Sequence, residues 1–287
     1  MYPRAFDYMA ASSLDQASQA LSETPGAKLL SGGMSLLPMM KLRILSPSMV
    51  VDLGKVPGLD EVGVEEDSLV IGALVRHRRI AADDAIAQHA HALRQAAAGL
   101  GDTQVRNRGT LCGSLAHADP VADEPAAVLA LGGILEARSL RGIRRIPAEA
   151  FFIDAFTANL SGDEIVQAVR IPLSGRGEGS SYQKLGRQGS HSYPVVASAA
   201  WLRIEEGLVT QARVALTGLS TRPILALGVA ETLLGTDASS SAIGAAVQKS
   251  TDGIVVLEDQ YGSIAYKRHI AELLTTRALH EAARLAR

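Results

Sequence analysis

The chain has 287 residues, 47% of them hydrophobic and 20% charged, with a net charge of −2. That length supports one large domain or two smaller ones with a real core, while the near-neutral charge argues against a general affinity for nucleic acid and other polyanions. The single cysteine, Cys112, excludes an internal disulfide and any cysteine-ligated iron–sulfur cluster held by this chain alone.

The N-terminal MYPRAFDYMAAS lacks the charged start and apolar core of a signal peptide, and no stretch approaches the apolar length of a membrane span. A cytoplasmic protein with no integral membrane segment is expected. AKLLSGG reads as a strand running into a turn. SLLPMMKLRI then reads as a short helix with Ser35 as its N-cap and Pro38 tolerated in the first turn. Residues 49–53 and 68–74 are rich in β-branched residues and read as strands. Residues 77–99 are alanine-rich and read as helical. Residues 101–120, GDTQVRNRGTLCGSLAHADP, show no periodicity and read as a long loop of the kind that carries function. ADEPAAVLALGG is a helix closed by glycine, and GGILEARS, IRRIPA and EIVQAVRIP are strand-like.

PLSGRGEGSS, residues 172–181, clusters Pro, Gly and Ser and is the best linker candidate. It also resembles a dinucleotide fingerprint, but Ser180 stands where the third glycine belongs and a strand follows instead of a helix, so the Rossmann reading lacks its context. Beyond it come three strands, SYQKLGR, VASAAWLRIEEG and LVTQARVALTGL, and helices over 223–235, 239–250 and 262–286. In the last helix Ile270, Leu273, Leu274, Ala278 and Ala282 recur at helical spacing. Three strands followed by three helices is an α+β pattern. The seven histidines are scattered with no metal-ligand spacing, so no metal site is expected.

Two loops share one grammar. Ser31-Gly32-Gly33-Met34-Ser35 and Thr110-Leu111-Cys112-Gly113-Ser114 both put hydroxyls at the ends and glycine inside. Successive backbone N–H groups in such turns form a concave nest for phosphate oxygens, and glycine lets a ligand sit against bare backbone. Two nests converging on one ligand suit a diphosphate; two ordinary structural turns are the competing reading. Among single residues, Cys112 reads as a small buried filler or a reactive thiol, and His117 as a loop-stabilising residue or a proton carrier. Asp119, before Pro120, looks like a helix-start residue, which leaves Asp123 as the ligand candidate. Arg106 and Arg108 either draw in the diphosphate or are surface charges, and Trp201 belongs to the core.

AKLLSGGMSLLPMMKLR and QVRNRGTLCGSLAHADPVADEPAAVLALGG together resemble the FAD-binding medium subunit of molybdenum hydroxylases, the carbon monoxide dehydrogenase and xanthine dehydrogenase family. YQKLGRQGSHSYPVVASAAW and ARVALTGLSTRPILA resemble that family's C-terminal domain, so the resemblance spans nearly the whole chain. It implies an FAD-binding domain of the vanillyl-alcohol-oxidase type over residues 1–175, made of α+β parts at about 1–54 and 55–175. A smaller α+β domain then covers 176–287. It further implies one FAD held non-covalently. Ser31 to Ser35 and Thr110 to Ser114 wrap the diphosphate, and Asp123 accepts a hydrogen bond from the ribityl chain or polar groups near it. Ile165 and Val166 lie against the adenine, Lys184 stands near the polar edge of the isoalloxazine, and Tyr193 covers a face of the ring. Molybdopterin and two 2Fe-2S clusters are implied in partner subunits only, large and small respectively, in a dimer of heterotrimers that passes electrons through this FAD to an external acceptor. The competing functions are a self-contained flavin-dependent oxidase and a flavin-binding module with a degenerate site. The second loop departs from the family pattern at Leu111, Cys112 and Ser114. If Cys112 needed a positive φ there, the strain would be about 1 kcal/mol or more.

Overall fold

A computed structural model describes residues 2–188 and 192–287. The first unit is a small parallel α/β layer. It comprises β1 (Asp7–Ala10), α1 (Leu14–Glu23), β2 (Lys28–Leu30), α2 (Leu36–Lys41) and β3 (Met49–Asp52). The sheet order is β1-β3-β2 with both pairings parallel. β3 is central because Val50 and Val51 give it a buried face on either side. α1 is started by Ser13, whose hydroxyl accepts from Gln16 N at 3.1 Å.

The second unit is antiparallel. β4 (Val62–Glu65) and β5 (Ser68–Gly72) lead into six helices: α3 (His77–Ala82), α4 (Asp84–His89), α5 (His91–Ala98), α6 (Thr103–Arg108), α7 (Leu111–His117) and α8 (Glu124–Ala130). After them come β6 (Ile134–Ser139), β7 (Gly142–Pro147), α9 (Ala148–Phe151), β8 (Phe152–Asp154), β9 (Thr157–Ala158) and β10 (Ile165–Pro172). The five-stranded sheet runs β4-β5-β10-β6-β7. The helical stretch expected over 77–99 is broken into three. Asp83 accepts from Ala85 N and Ile86 N through its carboxylate and so caps a new helix where the old one would have continued.

The long loop expected over 101–120 contains two helices, α6 and α7. Asp102 caps the first, accepting from Val105 N at 2.7 Å, and Thr110 caps the second, accepting from Gly113 N at 3.3 Å. Each helix has fewer than eight residues, too short for a hydrophobic period to show.

The third sheet is antiparallel, in the order β11 (Glu178–Gly186), β12 (Pro194–Glu205), β13 (Leu208–Thr217), β14 (Ile224–Leu225). β14 is a fourth strand where the sequence reads as the start of a helix. The helices that follow are α10 (Leu227–Leu233), α11 (Ser240–Val247) and α12 (Ile264–Ala286). One face of this sheet packs on α12 through Ile270, Leu274, Ala278 and Ala282. The other face packs on α5 and α8, with Tyr182, Ala197, Ala199 and Ala215 joining the core of the first 175 residues and Trp201 packed against it. Among the described residues no helix is long and apolar enough to cross a membrane.

Candidate functional site

A cavity of about 730 Å³ opens where the parallel unit meets the helices between β5 and β10. That volume lies within the range typical of small-molecule sites. The turn after β2 supplies one wall and the start of α7 supplies the other. The two walls touch. Thr110 Oγ1 donates to Ser31 Oγ at 3.2 Å. A Cβ on Gly113 would stand 2.8 Å from each of those oxygens. A Cβ on Gly32 would stand 2.7 Å from Gly109 Cα and closer still to the Arg108 carbonyl oxygen. These glycines are what lets the walls close on one another.

The first turn is a donor surface. Gly33 has φ +75°, a left-handed conformation that turns successive peptide N–H groups to one side. Among the described residues, none accepts from the N–H groups of Gly32, Gly33, Met34 or Ser35. Ser35 occupies the N-cap position of α2 as expected, yet its backbone is helical and its side chain makes no capping bond, which leaves the hydroxyl for another acceptor. In the second wall, Thr110 spends its oxygen on the cap, and Cys112 lies within α7 and is not among the residues with positive φ. The strain considered for a cysteine there is therefore absent. Burial pushes the Cys112 thiol far up, with the Glu124 charge adding to it, so the thiol stays protonated and is a filler.

Ser31 to Ser35, Thr110, Cys112, Gly113, Ser114, Asp123, Ile165, Val166 and Tyr193 all line this cavity. Leu111 and Lys184 do not. Leu111 turns into the core and is fully buried. Lys184 Nζ donates to Gly99 O at 2.7 Å, to Asp123 Oδ1 at 2.8 Å and to Ser192 O at 2.9 Å, so its three protons are used within the protein. Tyr182 Oη donates to the same Asp123 oxygen at 2.7 Å. Burial raises the Asp123 carboxyl, against the downward pull of the Lys184 charge and these hydrogen bonds. Both bonds to Asp123 fall on Oδ1, and the residue lines the cavity. Tyr193 is half exposed at the rim, and its phenol is raised chiefly by burial.

Arg106 and Arg108 are not on the wall. Arg106 donates to Leu100 O and Gly101 O, and Arg108 is exposed. Asp119 does not start a helix; its carboxylate accepts from Val121 N at 3.0 Å in a turn, while Asp123 holds the N-cap position of α8 without a side-chain cap. His117 lines the cavity with its ring 5.1 Å from that of Phe156, and burial lowers its basicity. Sequence reasoning passed over His77 and Glu124, a buried pair 2.7 Å apart, and Tyr182. The one local signal for the pair was a glutamate opening the apolar run of α8.

Fold and cavity define a candidate small-molecule site, one wall of which is built from bare backbone N–H groups and hydroxyls. Comparison with known proteins supplies the family. Residues 4–174 match the FAD binding domain in molybdopterin dehydrogenase, and residues 180–282 match the CO dehydrogenase flavoprotein C-terminal domain. The chain is 32% identical to the 6-hydroxypseudooxynicotine dehydrogenase complex subunit alpha of Paenarthrobacter nicotinovorans, covering 100% of this chain and 97% of the other. It is also 32% identical to the carbon monoxide dehydrogenase medium chain of Hydrogenophaga pseudoflava, with 98% of each covered. A solved structure of carbon monoxide dehydrogenase from that organism, lacking the Mo-pyranopterin moiety of the molybdenum cofactor, superposes with a TM-score of 0.94 at 32% identity over 98% of both chains. The chain belongs to the family of FAD-binding medium subunits of molybdenum-dependent dehydrogenases and hydroxylases.

Proposed function

We propose that this chain holds one FAD non-covalently in the cavity and serves as the electron outlet of a heterotrimeric molybdenum hydroxylase. The observation that carries the reading is the run of unpaired N–H donors from Gly32 to Ser35, set against the Thr110–Ser114 wall in a chain of this family. Bound FAD supplies the redox chemistry, taking electrons from the 2Fe-2S clusters of a small subunit and yielding them to an external acceptor. The residues of this chain bind and orient. Gly32 to Ser35 and the hydroxyls of Ser31 and Ser114 hold the diphosphate. The Ile165–Val166 backbone flanks the adenine, and Asp123 meets the ribityl region. Lys184 acts on the flavin through Asp123, which it holds in place and whose charge it balances. Tyr193 lies over the ring at the mouth. Leu111 packs beneath the wall and fixes it.

Residues 1–175 form the FAD-binding domain in this reading, with parts at about 1–54 and 55–175, and residues 176–287 form the C-terminal domain. The molybdopterin-bearing large subunit chooses the substrate, the heterotrimers pair, and the complex works in the cytoplasm. The similarity of this chain to subunits of enzymes named for 6-hydroxypseudooxynicotine and for carbon monoxide supports a substrate choice made elsewhere. Cofactor analysis of the complex purified from its native cells tests the reading. One FAD per copy of this chain, with molybdenum and iron on the other subunits, is expected. A complex without flavin, or molybdenum bound to this chain, would overturn it.

A further inference from the structure

His77 opens α3 directly behind the second wall. Its backbone N–H donates to Gly109 O at 3.1 Å, and a Cβ on Gly109 would stand 2.5 Å from His77 Nε2. The residue is only 4% exposed, and what remains accessible faces the cavity. Nδ1 lies 2.7 Å from Glu124 Oε1, while Nε2 has no hydrogen-bond partner among the described residues. Glu124 is fully buried, and its second oxygen, Oε2, is buried without a partner.

The proton inventory of this pair decides what Nε2 can do. The Nδ1···Oε1 contact holds one proton, whichever atom carries it. With that proton alone, the pair has a net charge of −1 and Nε2 turns a lone pair to the cavity. With a second proton the pair is neutral overall and Nε2 becomes an N–H donor. A buried, uncompensated negative charge is costly, and an anionic ligand beside it makes it costlier. An anion in the cavity therefore selects the doubly protonated pair.

We propose that His77, backed by Glu124, is a further anion-binding residue of the cavity, donating from Nε2 to the FAD diphosphate. This rests on the FAD reading above. The other charged groups around the pair are engaged elsewhere or face solvent. Arg76 just before α3, Arg78 and Arg79 on α3, Asp84 on α4 and Arg108 on α6 are exposed, and His89 on α4 is half-buried. On α5, Arg94 donates to Ala81 O, and His91 lies in the field of Glu281, Arg94 and Arg284. Arg106 on α6 is held by Leu100 and Gly101. Cys112 on α7 and Asp123 on α8 feel the Glu124 charge, but the first is a protonated thiol and the second is paired with Lys184. Lys28, His117 and Asp119 share the cavity wall.

The test is a titration of the flavin-stripped complex with FAD, read by quenching of FAD fluorescence. His77→Gln should bind FAD about tenfold or more weakly, the worth of one charge-assisted hydrogen bond. Glu124→Gln, which keeps the shape but leaves a second proton as an unbalanced buried charge, should also weaken binding. Thermal melts confirm the fold of each variant, and Glu124→Gln decides alone if His77→Gln does not fold. Both variants binding FAD with native affinity would overturn the proposal. A native complex that takes up no FAD would instead show that the FAD reading itself has failed.

Discussion

Gly32→Ala places one carbon where the two cavity walls meet. The new Cβ would stand 2.7 Å from Gly109 Cα. Non-bonded carbons settle at about 3.5–4.0 Å, so the walls must part by roughly 0.8 Å or more. The obstacle is backbone on both sides and cannot rotate away. Overpacking of this kind costs about 1–3 kcal/mol, and the hydroxyl bond between Thr110 and Ser31 at 3.2 Å is stretched with it. The strain is relieved by opening the cradle proposed for the diphosphate, so it should appear mainly as lost FAD affinity, about 5- to 150-fold. Any part that falls on the free protein lowers the melting temperature, by about 2–4 °C per kcal/mol for a chain of this order of size. The assay is the flavin-to-protein ratio of the purified complex, followed by FAD titration. Gly63→Ala is the control, since a Cβ there meets nothing within 4 Å. A Gly32→Ala complex with full flavin content and native affinity would refute the claim that the two walls close on the ligand.

Lys184→Met should destabilise the protein by about 3–5 kcal/mol, because it leaves the buried Asp123 carboxylate without its cation. The deficit should grow with rising pH in chemical denaturation, since a carboxyl already raised by burial is raised further without the lysine and its proton is lost as pH climbs; a deficit independent of pH would contradict the pairing. Cys112 should resist thiol reagents in the folded protein and react on unfolding, and acid precipitation should leave all flavin in the supernatant, whereas flavin in the pellet would mean a covalent link. Gly244→Ala, in an exposed turn of α11 with nothing near the new carbon, should stabilise the chain by about 0.4–1 kcal/mol, measured by thermal melting in comparison with the parent.

What was legible in the sequence was local. The paired glycines at 32 and 33, the hydroxyls around them and the Thr110–Ser114 segment announce themselves within five residues each, and the structure brings the two segments to one cavity. α12 was legible because its 23 residues repeat the helical period several times. α6 and α7 were not, because fewer than two turns separate their caps from their ends. Contacts between distant residues left no local trace. His77 and Glu124 lie 47 positions apart, and Lys184 and Asp123 lie 61 apart. For the same reason Arg106 looked like a candidate for the anion, although its guanidinium is spent on two carbonyls of its own loop.

The most direct test of the account compares FAD with FMN on the flavin-stripped native complex. Most of the cavity's donors are assigned to a diphosphate, which FMN lacks. One FAD per copy of this chain is expected, bound tightly enough to survive gel filtration, with FMN weaker by orders of magnitude and lost on the column. Equal retention of FMN and FAD would contradict it, because a ligand without the diphosphate would then need neither the Gly32–Ser35 donors nor the wall that closes against them.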